Sequence, residues 1–293
     1  MNAFTIKDLE NLTGIKAHTI RIWEQRYQFL KPNRTLTNIR YYGNSELKKI
    51  LNIALLNKYG YKVSHIDRMS ESEVKEKILS LNQQQAQQER LINELIGHMI
   101  EMDMDPFEVL IDNYIMARGI ERTISQIIFP FLEKIGILWL TDHINPAQEH
   151  LVSNIIRQKL IVGIEGVNSN LITQKTVLLF LPEGEFHELG LLYLYFILKS
   201  RGIRVIYLGA NIPLKDVEYV ARKKKPDYLF MHLTSTGGHF NFERYLNQAA
   251  SILKGFPVVI SGYLAQNYQK ETPEGIEIRR SFAEVMELVG SIH

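Results

Sequence analysis

The chain has 293 residues, of which 45% are hydrophobic and none is cysteine. This length allows two or three domains that each bury a core, and the lack of cysteine excludes disulfides, thiolate metal sites and thiol redox chemistry. The first ten residues lack the basic and apolar regions of a signal peptide, and the apolar runs are far shorter than the ~18 residues of a membrane span, so we expect a cytoplasmic protein.

The net charge of +2 conceals an uneven distribution along the chain. Residues 1–70 contain 12 Lys and Arg against 5 Asp and Glu, whereas the rest of the chain contains 22 against 27. A segment with such a surplus of positive charge is suited to a polyanion. The asymmetry indicates that the first segment contacts a polyanion and that the remainder has a different task.

Residues 1–75 favour short helices with a basic, turn-rich interruption at 31–43. Thr5 can cap a helix together with Asp8 three residues later, Gly14 provides a tight turn, and a second helix follows from about residue 16 to residue 26. This is the spacing of a helix-turn-helix, and the basic interruption has the composition of a β-hairpin wing. A generic helical hairpin with a solvated basic loop is the alternative, because helix-turn-helix spacing is a loose pattern.

The second of these helices presents two different faces. Ile15, Ile20 and Trp23 are predicted to point into a small core. The residues left on the outer face, where a groove of duplex DNA could be read, are His18, Thr19, Arg21 and Arg26.

The middle of the chain, 91–170, has helical periodicity. Apolar residues recur there at three- and four-residue intervals in four segments, which predicts a four-helix bundle. Pro130 lies inside the third segment and should kink or divide it. The polar stretch 80–88 (SLNQQQAQQ, with its first residue at 80) is the best candidate for a boundary and is either a linker or an exposed helix start; we assign 76–90 as a linker.

The spacing of apolar residues changes in the last part of the chain, 171–293. Short apolar or β-branched runs alternate with amphipathic helical stretches at about 188–201, 213–224, 241–254 and 281–290. The runs lie at 176–181, 203–208, 228–233, 257–261 and, more weakly, 276–278. Alternating strands and helices with apolar strands predict a doubly wound, five-stranded parallel sheet of the flavodoxin-like type. Ligands of such sheets bind beyond the carboxyl ends of the strands.

The loop after the first of these strands contains the pattern Glu-x-His-x-x-Gly. It is formed by Glu185, His187 and Gly190. A carboxylate two residues before a histidine can bond one ring nitrogen and make the other a better metal ligand, and the glycine allows a close approach of the ligand. A lone surface histidine is the other interpretation. No catalytic arrangement of side chains stands out, so enzymatic turnover is not expected.

The first 70 residues resemble the MerR family of regulators. The resemblance is carried by the runs at 5–9, 13–15 and 19–27 (TIRIWEQRY), by Pro32 and by the run at 39–42. It implies a second helix that reads the major groove, a wing that holds phosphates, and dimers that bind near-palindromic duplex sites. By their positions in this resemblance, His18 and Thr19 would lie near base edges. The backbone would be contacted by Arg21, Arg26, Arg34, Arg40 and Tyr41. Thiolate metal sensing, which some members use, is excluded by the composition.

The last domain resembles the cobalamin-binding fold of corrinoid proteins. The order of the three domains resembles that of adenosylcobalamin-dependent regulators that respond to light, whose bundles carry Trp-x9-Glu-His. Here Trp139 is followed by Glu149-His150. The resemblance implies that His187 is the lower axial ligand of cobalt, that Glu185 orients it, and that Trp139, Glu149 and His150 line the upper face of the corrin. It implies homo-oligomers, as dimers or tetramers, and a ligand held between bundle and sheet domain.

Three positions depart from that pattern. Leu140 follows Trp139 where light-sensing relatives place a cobalt-binding histidine, which argues against photochemistry; a substitute role for His143 is speculative. The element expected to hold the nucleotide tail corresponds here to 233–238 and offers Thr234 and Ser235. The usual Gly-Gly after the fourth strand is Ser261-Gly262, and a serine there can narrow the slot for the tail.

Three hypotheses remain open on the sequence. The first is a DNA-binding regulator that senses cobalamin, with adenosylcobalamin as its cofactor. The second is a regulator of the same type whose sensor domain no longer needs cobalamin and responds to a protein partner or another metabolite. The third is a corrinoid carrier for a methyltransferase, against which the basic first segment argues.

Overall fold

The computed structural model describes residues 3–140, 144–168, 173–234 and 240–292, with the side chains of Ile137, Trp139 and Leu140 excepted. The chain divides into two compact units, Met1–Ile156 and Arg157–His293. Among the residues that the structure describes, none of the helices is long and apolar enough to cross a membrane.

The first unit begins with a winged helix-turn-helix, which we call the head. Its elements are α1 (Ile6–Thr13), α2 (Ala17–Arg26), β1 (Asn33–Arg34), β2 (Arg40–Tyr41), α3 (Asn44–Lys58) and α4 (Val63–Ile66). The strands β1 and β2 pair antiparallel and form the wing. The predicted helix-turn-helix and β wing are therefore both present.

Local chemistry sets the start and the end of α1. The Thr5 amide donates to Asp8 Oδ2 at 2.7 Å, and the Asp8 amide donates to Thr5 Oγ1 at 3.2 Å, which is the predicted capping box. Gly14 ends the helix with a φ of 74°, a conformation that favours glycine. The main chains of Phe4 and Tyr42 then exchange two hydrogen bonds, which tie the wing to the first residues of the head.

The predicted linker 76–90 is mostly helical. It is taken up by the end of α5 (Glu71–Leu79) and the start of α6 (Gln84–Glu101). Leu81 and Ala86 are buried in a core shared with Trp23 of the head, so apolar burial holds this polar stretch in place. Glutamine also favours helix. The start of α6 within this stretch matches the exposed helix start that was the other interpretation of its composition.

The bundle consists of four helical segments. After α6 they are α7 (Met104–Arg118), the run α8 (Ile120–Thr123), a π-turn (Ile124–Ile128) and α9 (Phe129–Leu140), and finally α10 (Pro146–Glu165). Pro130 is the second residue of α9 and lies two positions after the end of the π-turn. Because proline has no N–H to give to the preceding turn, the helix widens there, and the Phe129 amide donates to the carbonyl of Ile124. The predicted interruption is thus a π-turn inside a continuous helix.

The second unit is built on a parallel sheet with helices between its strands. The strands are β3 (Thr176–Pro182), β4 (Arg204–Ile212), β5 (Tyr228–His232), β6 (Val258–Ser261) and β7 (Ile276–Ile278). The helices are α11 (Leu189–Ser200), α12 (Leu214–Lys224), α13 (Phe242–Ile252), α14 (Tyr263–Gln266) and α15 (Phe282–Ser291). The order across the sheet is β4-β3-β5-β6-β7. This is the predicted flavodoxin-like sheet, although β4 extends four residues beyond its predicted end.

The strand order places a crevice at one point of the sheet. The chain leaves β3 towards β4 on one side and returns to β5 on the other, so the order reverses between β3 and β5. In doubly wound folds, ligands bind at this switch point, beyond the carboxyl ends of the strands. The loops that follow β3 and β5 therefore define the candidate ligand site.

The division between the two compact units falls inside α10. The second half of this helix is bonded to the sheet domain. Arg157 Nε donates to Glu188 Oε1 at 2.6 Å, and Lys199 Nζ donates to the carbonyl of Ile164 at 2.6 Å. The divisions proposed at residues 75, 90 and 170 stay predictions.

Candidate ligand site and nucleic-acid interface

Glu185 is a fully buried carboxylate in the loop after β3. Its Oε1 accepts from the amide of His187 at 2.9 Å and lies 2.6 Å from Nδ1 of the same residue. A carboxylate at this distance holds the proton on Nδ1 and leaves the lone pair on Nε2, which is the form of imidazole that binds a metal. The imidazole itself is 47% exposed, so a ligand can reach it.

Three strand ends hold this loop in position. Glu185 Oε2 accepts from the amide of Thr234, which follows β5, at 3.0 Å. Asn211, near the end of β4, accepts from the amide of Gly184 through its Oδ1 and donates its own amide to the carbonyl of Glu185. The buried carboxylate thus joins the two loops that flank the switch point, and His187 is presented from a fixed support.

The crevice between these loops contains the side chain of His232, the last residue of β5. Its Nδ1 lies 2.9 Å from the hydroxyl oxygen of Ser261, which is buried at the end of β6. Its ring also packs against Gly190, where a Cβ would fall 2.7 Å from Nε2 and closer still to Cδ2. Burial lowers the pKa of His232 to about 4 although the carboxylate of Glu185 opposes the shift, so the ring is neutral at pH 7.

Gly262 is required by a close approach of two main chains. It has a φ of 99°, and a Cβ there would lie 2.8 Å from both N and C of Leu233, and closer to its carbonyl oxygen. The adjacent Ser261 makes a hydrogen bond instead of leaving open space. Of the residues predicted to hold a nucleotide tail, Thr234 is exposed and bonded through its amide to Glu185, and Ser235 lies outside the described residues.

Glu188 forms a second network beside His187 that sequence reasoning missed. It accepts from Arg157 Nε at 2.6 Å and from the hydroxyl of Tyr207 at 2.7 Å. Burial and the neighbouring carboxylate raise the pKa of that hydroxyl. The partners are 31 and 19 residues away, so no local spacing could have indicated them. The network connects the His187 loop to α10.

The residues predicted to line the upper face of a corrin are described in part. Glu149 lies in the first turn of α10 and accepts from Ser153 Oγ at 2.8 Å. His150 is 73% exposed, with its Nδ1 3.4 Å from Glu149 Oε2. The side chains of Trp139 and Leu140, and all of His143, lie outside the described residues. The roles of these residues stay predictions.

The outer face of α2 and the wing carry the predicted DNA-contacting residues. Ile20 and Trp23 are buried and Ile15 is half-buried, which leaves His18, Arg21 and Arg26 exposed and Thr19 half-buried. Basic and polar side chains are thus presented together on the surface that a helix-turn-helix offers to the major groove.

Glu24 ties the wing to α2. Its Oε2 lies 3.3 Å from Arg40 Nε, and it also accepts from the hydroxyl of Tyr42, the pKa of which is raised mainly by burial. Arg34 stays exposed and donates through Nη1 to Asn38 Oδ1 at 2.7 Å, while Tyr41 is half-buried. Arg40 therefore has an intramolecular partner in addition to its predicted phosphate contact, and Glu24 is a residue that the sequence reasoning did not single out.

Models of known protein families match three separate segments of the chain. Residues 4–73 match the model of the MerR HTH family regulatory protein, and residues 91–162 and 175–287 match two models of B12 binding domains. The "HTH-type transcriptional repressor CarA" of Myxococcus xanthus is 28% identical over 267 residues, covering 90% of this chain and 88% of CarA. The "HTH-type transcriptional repressor CarH" of the same organism is 25% identical and covers 91% of each chain.

A solved structure has a similar fold over much of the chain. The monomethylamine corrinoid protein of Methanosarcina barkeri superposes with a TM-score of 0.51 at 13% identity, covering 68% of this chain and 97% of that one. At this identity the likeness concerns the fold alone. Together with the family models, it confirms the predicted fold classes of a helix bundle and a five-stranded parallel α/β sheet.

Proposed function

We propose that the chain controls transcription by binding duplex DNA through its head and cobalamin, in the adenosyl form, through His187. The proposal is supported by the matches to a MerR HTH model and two B12 binding domain models and by the similarity to CarA and CarH. The observation that carries this proposal is the buried Glu185, which holds Nδ1 of His187 and directs Nε2 to a metal. Like the two named relatives, it acts as a repressor.

The donor set fits a corrinoid. A single imidazole can complete the coordination of a metal whose equatorial positions are filled by a macrocycle, and cobalamin supplies such a cobalt centre. The carboxylate of Glu185 fixes the tautomer of His187 and raises its basicity, as the outer partner of a metal-binding histidine does. We also propose that the upper ligand lies next to Trp139, Glu149 and His150.

The signal leaves the site through Glu188 in this proposal. This residue is the chain neighbour of His187 and is bonded to Arg157 of α10, the helix that also carries Glu149. A change in the His187 loop on ligand binding therefore acts on α10. In a homo-oligomer, a dimer or tetramer, this would change how two heads are presented to an operator. The protein works in the cytoplasm by binding, without catalytic turnover.

Absorption spectroscopy tests the proposal. We expect purified protein mixed with adenosylcobalamin to keep a stoichiometric red chromophore through gel filtration, and His187→Ala to lose most of it. His65→Ala, which removes an exposed histidine of the head, is the control and should bind like the wild type. Wild-type protein that elutes colourless would refute cobalamin sensing.

The same sample separates cofactor binding from photosensing. Leu140 cannot ligate cobalt, so we propose a sensor that does not depend on light. Operator affinity is measured with cobalamin before and after illumination, and we expect it to be unchanged. A loss of operator binding after illumination would contradict this part of the proposal.

One observation favours a second function, a cobalamin-independent regulator of the same type. The crevice at the switch point already contains the ring of His232, bonded to Ser261. Operator binding that is identical with and without cobalamin would support this alternative. A corrinoid carrier for a methyltransferase is disfavoured by the basic head, and it would require that the head lack salt-sensitive affinity for DNA.

A further inference from the structure

One side chain of the protein, that of His232, lies at the switch point between the ends of β3 and β5. The ring of His232 packs on Gly190 at the start of α11 on one side and is hydrogen-bonded to Ser261 at the end of β6. Gly190 is helical and has no left-handed φ, so its backbone would accept any residue. Space is what requires glycine there, because the ring occupies the volume of a side chain.

The residues around His232 are closely packed and restrict movement of its ring further into the protein. Ser261 is buried, and Gly262 lies against the main chain of Leu233 so tightly that a Cβ cannot be added. The carboxylate of Glu185 bonds to His187 on one side and to the amide of Thr234, two residues after His232, on the other. His187 and His232 therefore stand at adjacent points of one rigid support.

The chemistry of cobalamin gives this arrangement a consequence. When a protein histidine takes the lower position on cobalt, the dimethylbenzimidazole of the cofactor is displaced, and its nucleotide arm must be placed on the same side of the ring as that histidine. On this chain the loop of His187 flanks the switch point, where the ring of His232 lies against Gly190. The arm then has to remain in solvent or to expel the ring of His232.

We propose that His232 is a specificity-determining residue that excludes the nucleotide arm, so that the protein recognises a corrinoid by its ring and upper ligand alone. The inference rests on the proposed function, because it concerns what binds at His187. The ligand class is then wider than cobalamin and includes corrinoids that lack the nucleotide.

Two ligands that differ only in the arm test this proposal. Adenosylcobalamin and adenosylcobinamide are titrated into the full-length protein, and each Kd is taken from the absorption change and confirmed by calorimetry. For the wild type we expect adenosylcobinamide to bind at least as tightly as adenosylcobalamin, because cobalamin must first release its own dimethylbenzimidazole and gains no contact for the arm. For His232→Ala we expect cobalamin to bind at least about tenfold more tightly while cobinamide is unchanged. His65→Ala should keep the wild-type ratio.

A second variant distinguishes an effect of His232 on affinity from an effect on folding. His232→Ala leaves the buried hydroxyl of Ser261 without its partner, which costs stability. The double variant His232→Ala, Ser261→Ala removes both members of the bond but keeps the Cβ at position 261, and circular dichroism verifies that it is folded. It should show the same gain for cobalamin.

The possible outcomes separate the role of His232 from the proposed function. A wild type that prefers cobalamin by tenfold or more, with variants that bind it no better, overturns the role of His232 and leaves the proposed function standing. A wild type that binds neither corrinoid, with variants that bind cobalamin, supports the role of His232 and overturns cobalamin sensing. If no protein binds either ligand, both are overturned.

Discussion

The imidazole of His232 lies against the α-carbon of Gly190, so that a Cβ added to the glycine would fall 2.7 Å from Nε2. We therefore expect Gly190→Ala to destabilise the second unit by about 1–3 kcal/mol, as overpacking does. In the His232→Ala background the same change should be neutral or stabilising, because alanine favours helix over glycine. Thermal or urea unfolding of the four proteins of this cycle measures the coupling.

Gly290→Ala is the matched control for that cycle. Gly290 also lies in a helix, and a Cβ added there meets no atom within 4 Å. It should stabilise the protein by about 0.5–1 kcal/mol in both backgrounds. If Gly190→Ala behaves like Gly290→Ala in the wild type, the ring does not occupy the crevice in solution.

The depressed pKa of His232 predicts a pH dependence of stability. Its folded pKa is about 4, whereas an unfolded histidine titrates near pH 6.5. Between these values the unfolded chain binds more protons, so stability is full above about pH 6.5 and falls as the pH is lowered towards 4. Because the ring is half-buried, we expect a loss of about 2 kcal/mol.

Comparing wild type with His232→Ala isolates this contribution from other titrating groups. The free energy of unfolding is measured by urea at pH 7.5 and pH 5. The wild type should lose more stability than the variant over this interval. Equal losses in the two proteins would show that His232 is not shielded from protonation.

The distance between His187 Nδ1 and Glu185 Oε1 predicts the effect of neutralising the carboxylate. Glu185→Gln keeps the size of the side chain but no longer accepts from Nδ1 with a full negative charge. We expect the affinity for adenosylcobalamin to fall about 10–100-fold, the range typical of outer partners of metal-binding histidines. Glu183→Gln alters an exposed residue of the same loop and should leave the affinity unchanged. Equal affinities for both variants would contradict the orienting role.

Local patterns account for the parts of the fold that were predicted. The strands and helices of the second unit follow from alternating periodicity, and the Glu185–His187 pair follows from its spacing of two residues. The contact of His232 with Gly190 and the bonds of Glu188 join segments that are remote in sequence, and nothing local indicates them. The start of α6 at Gln84 agrees with the exposed helix start that the stretch 80–88 also offered, whereas the burial of Leu81 and Ala86 depends on contacts with segments remote in sequence, such as the head.

We predict that the wing contributes measurably to the affinity for DNA. Arg34 is exposed next to the turn of the wing, so Arg34→Ala should weaken operator binding and reduce the slope of log affinity against log salt by about 1. Lys75→Ala removes an equal charge from an exposed position on α5 and should change neither quantity. The measurement is fluorescence anisotropy of a labelled duplex over a series of salt concentrations. Equal slopes for wild type and Arg34→Ala would remove Arg34 from the interface.

The bond between Arg157 and Glu188 predicts a variant that separates sensing from response. Glu188→Gln can still accept from Tyr207 but loses its charge towards Arg157. We expect Kd for adenosylcobalamin to stay within about threefold of the wild type, because the bond between Glu185 and His187 is untouched. The change in operator affinity that cobalamin causes should shrink by at least about half, since the connection from the His187 loop to α10 is weakened.

A glutamate–arginine pair elsewhere in the same unit provides the control for this variant. Glu218 accepts from Arg222 Nε at 2.8 Å on the surface of α12, so Glu218→Gln removes a similar pair with no link to the loop. It should keep both cobalamin affinity and the operator response. If Glu188→Gln also keeps the full response, α10 does not receive the signal through Glu188. If it loses cobalamin binding instead, the network serves to hold the His187 loop rather than to transmit its state.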